Sequence, residues 1–396
     1  MNTPKQTKKQ DYMIDTVAIK ITFPDFEVLK PELFSPALII KTAKDIPTNF
    51  DYKKLWQKYI QNATDENGQT TKLTAYRRFE DGNLNYHLHA EASIPNMIFG
   101  NNLQEPGNTD FEPAVALLHK RLSNMGIETT KEIIKKAQIT KVHFGKNIPL
   151  PNPKTSRDAI IELQKGDLGK SFDVDHREYK NTGEALYFYT TPRNLIFYDK
   201  VKDLQKPKNK SADKEKTGQE KDFIAYGLLK GKEILRFEIR LVGQVSVNRF
   251  ISKATKEKVE KINFETVFNQ ELCKKVILYS WKDIIGKPAN QLAFKLAVSP
   301  EDALNALIER EREQKESVHT LNRVLISFGL YQLINKFGIQ YVRNKLETVW
   351  SEKTCGTRLD KKIRESAISL QDIPNATIIS FIDESLQEFE RYTLNY

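Results

Sequence analysis

The chain has 396 residues, which is long enough for two or three domains with sizeable cores. Its 62 Lys and Arg residues outnumber its 52 Asp and Glu residues, and a net charge of +10 favours a polyanionic partner such as nucleic acid. Two cysteines are too few for a disulfide framework, and no apolar run is long enough for a membrane span or a signal peptide, so we expect a soluble cytoplasmic protein.

The first part of the chain predicts mostly strands. Residues 1–12 are polar and lysine-rich, and we expect a flexible tail there. Apolar and polar side chains alternate from residue 14 to 23, which indicates a half-buried strand. Further strands are predicted at 84–92 and 139–145, on either side of a helix at 111–124 that Gly126 can cap. A second helix is predicted at 156–163, with Thr155 or Ser156 as its N-cap.

The middle of the chain predicts a hairpin followed by a third long strand. Strands at 185–189 and 194–198 are joined by a short turn that contains a proline, and another strand follows at 234–242. Between them, residues 202–221 are rich in lysine and poor in apolar side chains, which predicts a flexible surface excursion. We favour a solvated loop for this segment. The alternative is that its lysines contact the phosphate backbone of a nucleic acid.

Helical spacing of apolar residues begins after residue 265. Gly329 and Gly338 predict three short helices, at 318–328, 330–337 and 339–350. We favour an ordinary helical bundle, because short amphipathic helices are common in any helical domain. The alternative is a helix-turn-helix whose recognition helix carries Arg343, Asn344 and Lys345.

One predicted strand ends on a tyrosine beside charged residues. Tyr198 closes the apolar strand at 194–198 and is followed by Asp199 and Lys200. A phenol has an ordinary pKa near 10, so it needs a base or a metal-polarised target to attack at neutral pH. Tyr198 is therefore a candidate nucleophile, with Lys200 placed to orient a phosphate or to stabilise the phenolate. The alternative is a solvated strand end.

Histidines and carboxylates recur on the predicted strands. His87, His89 and Glu91 share one face of their strand because side chains alternate with a period of two. His143 and Glu238 lie on two other strands. Imidazole and carboxylate groups together can hold a divalent cation such as Mg²⁺ or Mn²⁺. The alternative is a set of surface histidines on a solvated sheet face.

Arginines and tyrosines supply candidate contacts to nucleic acid. Arg236 and Arg240 share a strand face with Glu238. We therefore expect them either to contact phosphate or to balance the charge of the Glu238 carboxylate. Arg193, in the hairpin turn, is a third phosphate candidate. Tyr187 and Tyr189 share a face of the preceding strand, where base stacking or core packing is favoured over a role as a second nucleophile.

Five segments, in order, resemble the filamentous-phage gene II/X type of replication protein. This resemblance covers most of the chain. It implies an α+β fold with a central antiparallel sheet and helices packed on one face, as in rolling-circle nickases, over residues 13–262. A helical C-terminal domain would follow over 263–396. Whether this domain binds DNA stays open. The segments are MIDTVAI at 13–19, ASIPNMIFGNNL at 92–103, LIFYDK at 195–200, LRFEIRL at 235–241 and SFGLY at 327–331.

The resemblance also implies a reaction. In that family and in similar plasmid initiators a tyrosine nicks one strand at the replication origin, and the matching position is Tyr198. A 5′-phosphotyrosyl intermediate, a free 3′-hydroxyl and later resealing of the displaced strand are then expected. The implied partners are duplex and single-stranded origin DNA and the replication machinery of a bacterial host, with a homodimer on the origin left open. Glu238 matches the family's glutamate and is expected to act as a base or metal ligand.

The sequence departs from the family at one position. An acid is usual where His143 stands, so either His143 takes over as ligand or His87 and His89 supply the site, as in histidine-hydrophobe-histidine endonucleases. In the second case the paired histidines would face Tyr198 across the sheet. Two other functions stay open: a DNA-binding replication regulator that has lost the chemistry at His143, and a mobilisation relaxase that uses the same reaction.

Overall fold

The computed structural model describes residues 14–35, 57–64, 70–80, 83–168, 172–205, 227, 229–296, 298–312, 318–390 and 392. The predicted tail at 1–12 lies outside these residues, as does most of the lysine-rich excursion. The first four residues of that excursion are helical, so the prediction of a flexible segment is wrong for 202–205. Val201 and Leu204 are buried there against Leu229 and Ile234, and this packing stabilises the helical turn.

Eleven strands are present in the described residues, and nine of them form one antiparallel sheet. The order in this sheet is β3-β4-β5-β1-β7-β11-β10-β9-β8, while β2 pairs with β6. The strands are β1 (Ile14–Thr22), β2 (Glu27–Val28), β3 (Gln57–Thr64), β4 (Thr70–Glu80), β5 (Asn83–Ser93), β6 (Ile127–Glu128), β7 (Gln138–Pro149), β8 (Asp173–Glu178), β9 (Glu184–Tyr189), β10 (Arg193–Asp199) and β11 (Ile234–Val242).

The described helices include a group near the sheet and a longer series after residue 263. None of them is long and apolar enough to cross a membrane. They are α1 (Ile94–Phe99), α2 (Phe111–Asn124), α3 (Lys131–Lys136), α4 (Ser156–Gln164), α5 (Lys200–Gln205), α6 (Gln244–Thr255), α7 (Phe264–Val267), α8 (Gln270–Ile285), α9 (Pro288–Ala293), α10 (Pro300–Arg312), α11 (Val318–Phe337), α12 (Ile339–Glu347), α13 (Glu352–Ser369) and α14 (Thr377–Glu388).

Most of the predicted helix ends are confirmed. Gly126 follows α2 with a φ of 76°, and Thr155 caps α4 by accepting a hydrogen bond from the Asp158 amide. Gly338 separates α11 from α12 with a φ of 79°. The break predicted at Gly329 is wrong, because α11 runs through it. A mid-helix glycine costs about 1 kcal/mol, which the buried side chains on either side of it outweigh.

The two faces of the large sheet differ in character. One face is apolar and is covered by helices, which confirms the predicted α+β architecture. Phe197 and Phe237 stack on this face with ring centroids 4.4 Å apart, and the indole of Trp281, from α8, packs edge-on against both. A single apolar core continues from the sheet into the C-terminal helices. The polar side chains of the central strands therefore share the opposite face.

Candidate active site

Three adjacent strands, β7, β11 and β10, bring Tyr198 next to Glu238 on the polar face of the sheet. Tyr198 lies opposite Arg236 in the strand register, and Glu238 lies opposite Gly145. The hydroxyl of Tyr198 donates a hydrogen bond to Glu238 Oε2 at 3.0 Å. The tyrosine and the glutamate singled out in the sequence are thus in direct contact.

Two arginines and one histidine surround the Glu238 carboxylate, which is 1% exposed. Arg240 Nε donates to Oε1 at 2.6 Å, Arg236 Nε donates to Oε2 at 3.3 Å, and His143 Nδ1 lies 3.4 Å from Oε1. Burial raises the pKa of this carboxyl, but the charges of Arg240 and Arg236 more than offset burial and hold the pKa well below its ordinary value. Glu238 is therefore an anion in the resting site.

His143 is a neutral imidazole in this setting. It is 6% exposed, and burial lowers its pKa well below the ordinary value although the Glu238 charge acts in the opposite direction. Its Nε2 atom has no hydrogen-bond partner among the described residues. The structure thus brings His143 and Glu238, two candidate ligands from different strands, within 3.4 Å of each other.

Arg236 is held by groups on two other strands. Its Nη2 atom donates to Asp15 Oδ2 at 2.7 Å and its Nη1 atom to Asn147 Oδ1 at 3.0 Å. The guanidinium lies over Gly145, where a Cβ atom would come within 2.3 Å of Nη2. The side chain is only 3% exposed, whereas that of Arg240 is 36% exposed. Arg240 is therefore the arginine that a ligand can reach.

Tyr198 itself is 7% exposed. Burial, followed by the Glu238 charge, raises the pKa of the phenol well above 10. The Lys200 ammonium lies 5.7 Å from the centroid of the phenol ring, and this lysine is fully buried at the start of α5. A solvated strand end, the alternative interpretation of Lys200, is therefore wrong, because the residue lies inside the fold.

The paired histidines lie on the same sheet face but on a distant strand. His87 and His89 belong to β5, which β1, β7 and β11 separate from β10, so the two sites are about 19 Å apart at ~4.8 Å per strand. Their ring centroids are 5.2 Å apart. Burial, with the charges of His87 and Lys20, lowers the pKa of His89 to about 4. The structure thus does not bring these histidines to Tyr198.

The other predicted site residues lie in three places. Glu91 forms an ion pair with Lys141 at 2.5 Å. Tyr187 and Tyr189 are on the polar face, Tyr187 packed beside Tyr198 and Tyr189 38% exposed. Arg193 points to the helix-covered side, where its guanidinium lies 3.5 Å from Asp283.

The helix-turn-helix candidates are not equivalent in the structure. Arg343 is buried on α12 and its guanidinium lies 3.1 Å from Asp360 and 3.7 Å from Asp167. Asn344 and Lys345 are exposed. Arg343 therefore joins α12 to its neighbours, as expected for the helical bundle that the sequence favoured.

Sequence reasoning missed Asp15, Asn147 and Gly145. Strict alternation places Asp15 on the apolar face of β1 together with Val17. A register irregularity between Ile14 and Val17 turns the carboxylate to the polar face instead. Asn147 lies in the part of β7 beyond the predicted strand end, so its position on the polar face was not anticipated.

The described residues contain no group of three or more His, Cys, Asp or Glu side chains placed to hold a metal ion. Around Glu238 both carboxylate oxygens already accept hydrogen bonds, and two guanidinium groups disfavour a further cation. The His87 and His89 pair fits a cation better, because His89 Nε2 is buried without a hydrogen-bond partner in the described part of the chain.

Comparison with known proteins identifies the family. The family model for the N-terminal part of the phage replication-associated protein encoded by gene II matches residues 13–262, which is more than half of the chain. Searches among curated proteins and among solved structures give no significant match. The match covers the whole large sheet, including the strands that carry Tyr198, Glu238 and Arg236. The chain therefore belongs to this family of phage replication-associated proteins, the gene II type of filamentous-phage replication protein.

Proposed function

We propose that this rolling-circle replication initiator nicks one DNA strand at the replication origin, with Tyr198 as the nucleophile. The observation that carries the proposal is the 3.0 Å hydrogen bond from Tyr198 to Glu238, beside two guanidinium groups. A phenol in this setting has a proton acceptor and cations for a phosphate within reach.

In the proposed reaction the phenolic oxygen attacks the scissile phosphorus and the bond from phosphorus to the 3′-oxygen breaks. The phenolic proton passes to Glu238, and the departing 3′-oxygen takes up a proton to become a hydroxyl. The products are a 5′-phosphotyrosyl bond and a 3′-hydroxyl that the polymerase of the bacterial host extends. After one round, attack of a 3′-hydroxyl on the phosphotyrosyl bond reseals the displaced strand and releases Tyr198.

Arg240 links phosphate binding to proton transfer. In the resting site its charge is one of the two that keep the pKa of Glu238 low, so the carboxylate is a weak base. A phosphate that draws the partly exposed Arg240 away removes part of this effect, and the pKa of Glu238 rises toward that of a useful base. Arg236, which is fixed by Asp15 and Asn147, keeps the Glu238 carboxylate in place while Arg240 moves.

A divalent cation, Mg²⁺ or Mn²⁺, remains part of the proposal. His87 and His89, about 19 Å from Tyr198 at ~4.8 Å per strand, would hold it, and a cation bound there would contact DNA phosphates other than the one that Tyr198 attacks. Glu91 and His143 are weaker ligand candidates, because Glu91 is paired with Lys141 and His143 faces two arginines. The steps assigned to Tyr198, Glu238 and Arg240 use only the groups around Tyr198.

The test is a nicking assay on supercoiled DNA that contains the intergenic region of the encoding replicon, with Mg²⁺ or Mn²⁺. The parent protein should give nicked circles and a covalent protein–DNA adduct, and both should vanish in Tyr198→Phe. Tyr331→Phe is the matched control, because it deletes a buried hydroxyl that bonds a backbone carbonyl in the helical part, and it should nick like the parent.

Nicking by Tyr198→Phe at the parental rate would disprove the assignment of the nucleophile. Origin binding without nicking by the parent under all metal conditions would favour the regulator instead. A cut at a transfer origin rather than at the replication origin would identify a mobilisation relaxase.

A further inference from the structure

A cavity lies on the helix side of the sheet, away from Tyr198. It has a volume of about 440 Å³, within the range of ~300–1,000 Å³ that is typical of small-ligand sites. The β9–β10 turn, α6 and α8 line it. Arg193 and Tyr198 are at opposite ends of β10, about 17 Å apart along the strand, and their side chains point to opposite faces. This cavity is therefore separate from the candidate active site.

One wall of the cavity is aromatic. The Arg193 guanidinium lies over the rings of Phe172 and Phe250, at 4.5 and 5.0 Å from their centroids. The Tyr279 ring packs edge-on against Phe250 with centroids 5.5 Å apart. Asp283 neutralises Arg193 at 3.5 Å. Flat aromatic and guanidinium surfaces of this kind stack with nucleobases.

The rim of the cavity is cationic. Arg249 and Lys253 lie on α6 at positions i and i+4, next to Phe250, and both side chains are exposed. Within the described residues no carboxylate pairs with either of them. Lys287 also lines the cavity and donates a hydrogen bond to the Leu168 carbonyl oxygen. The rim thus presents two cations that are available to phosphate.

We infer that this cavity binds one unpaired nucleotide of the DNA strand, with its base against Phe250 and Tyr279 and its phosphates on Arg249 and Lys253. An acidic peptide would use the cations and leave the aromatic wall without a role, whereas a nucleotide uses both. The inference rests on the proposed action of the protein on a DNA strand. The bound nucleotide is a different one from that attacked by Tyr198, because the two sites are on opposite faces.

The test measures binding of a fluorescent single-stranded oligonucleotide of about ten nucleotides. It uses full-length protein that carries Tyr198→Phe, so that no cleavage occurs. Adding Arg249→Ala and Lys253→Ala should lower the slope of log affinity against log salt by about 1.4, since each phosphate contact on a single strand contributes about 0.7. Adding Tyr279→Leu should weaken binding roughly five- to hundred-fold, the range for loss of one stacked base.

The charge-matched control is Arg358→Ala with Lys361→Ala, which removes one arginine and one lysine from exposed positions of α13. We expect it to leave the affinity and the salt slope unchanged. In a parallel experiment an oligonucleotide with a single 5-iodouracil is irradiated, and the crosslink should map by mass spectrometry to the peptide with Phe250 or Tyr279.

Three results would overturn the inference: cavity variants that bind like the control, crosslinks only to other peptides, or displacement of the oligonucleotide by inorganic phosphate as effectively as by a mononucleotide. The last result would identify an anion site without base recognition. Nicking by Tyr198 is measured separately. Its absence would overturn the proposed function alone, and unchanged oligonucleotide binding in the cavity variants would overturn the cavity assignment alone.

Discussion

At the residue scale, Glu238 is the centre of the candidate site. The buried carboxylate accepts hydrogen bonds from one phenol and two guanidinium groups. Its negative charge therefore stabilises all three of these partners. Removal of one member of a buried ion pair leaves the remaining charges uncompensated, which typically costs about 3–5 kcal/mol. The role of Glu238 in proton transfer and its role in stability are thus coupled.

Glu238→Gln should therefore lower the free energy of unfolding by about 3 kcal/mol and reduce nicking by a factor of about 100 or more. Chemical denaturation and the nicking assay measure the two effects, and binding to origin DNA should be largely retained. Glu265→Gln is the control, since Glu265 pairs with Lys136 at the surface and its replacement should change neither quantity measurably. Equal nicking by parent and Glu238→Gln across a Mn²⁺ titration would remove Glu238 from the site.

The buried carboxyl of Asp199, next to Tyr198, should make the free energy of unfolding depend on pH. Burial raises the pKa of this carboxyl from 3.8 to about 6, although its hydrogen bond from the Lys202 amide acts in the opposite direction. The folded chain then holds more protons than the unfolded chain between about pH 4 and 6, so this group lowers stability as the pH rises through that window. The folded protein therefore favours the protonated form of the Asp199 carboxyl.

Asp199→Asn should be about 3 kcal/mol more stable than the parent above pH 6, because asparagine cannot ionise and still accepts the amide hydrogen bond. The difference should shrink to near zero below pH 4. Urea unfolding of both proteins at a series of pH values measures it, and the other titrating groups cancel in the comparison. A difference that does not change with pH would show that the Asp199 pKa is not raised.

At the element scale, the close approach of β7 and β11 depends on a glycine. Gly145→Ala places a methyl group within 2.3 Å of Arg236 Nη2, and Arg236 cannot easily move because Asp15 and Asn147 hold it. We expect a loss of about 1–3 kcal/mol in unfolding free energy, together with weaker nicking, since Arg236 then turns away from Glu238. Denaturation and nicking assays check both.

Gly329→Ala is the matched control for this substitution. Gly329 is inside α11 and has open space around the added methyl group, so alanine should raise stability by about 0.5–1 kcal/mol and leave nicking unchanged. If Gly145→Ala were as stable and active as the parent, Arg236 would not be fixed in the way described.

Much of the secondary structure was predictable from local patterns. The alternation in β1, β10 and β11 and the cap of α4 at Thr155 are properties of neighbouring residues, so the sequence shows them directly. The break predicted at Gly329 failed because a local helix penalty is small compared with burial of the apolar residues around it. The edge strands β3 and β8, and β4 beside β3, were not predicted.

At the scale of the whole molecule, the sheet and the C-terminal helices share one core. Trp281 packs on Phe197 and Phe237, and its indole N–H donates to Asp383 of α14 at 2.7 Å. The apolar face of the sheet would lose this cover if the chain ended at residue 262. Exposed apolar surface of that extent destabilises a fold and promotes association.

The fragment 1–262, which contains the segment that the family model matches, should therefore lack the sharp thermal transition of the full chain and should bind a hydrophobic dye. Calorimetry of the full chain should give a single transition, because both parts contribute to one core. A fragment that melts cooperatively at the temperature of the full chain would show instead that residues 13–262 fold independently.

Side chains that share a strand face are apparent from the residues alone, and this grouped Arg236, Glu238 and Arg240 and singled out Tyr198. This information is local, since it follows from the period of two in a strand. Which strands are neighbours is known only from the folded sheet. The strand order places Tyr198 beside Glu238, brings in Asp15 through an irregularity in β1, and leaves His87 and His89 four strand spacings away. Strand order depends on packing between residues distant in the chain, for which one sequence carries no local signal.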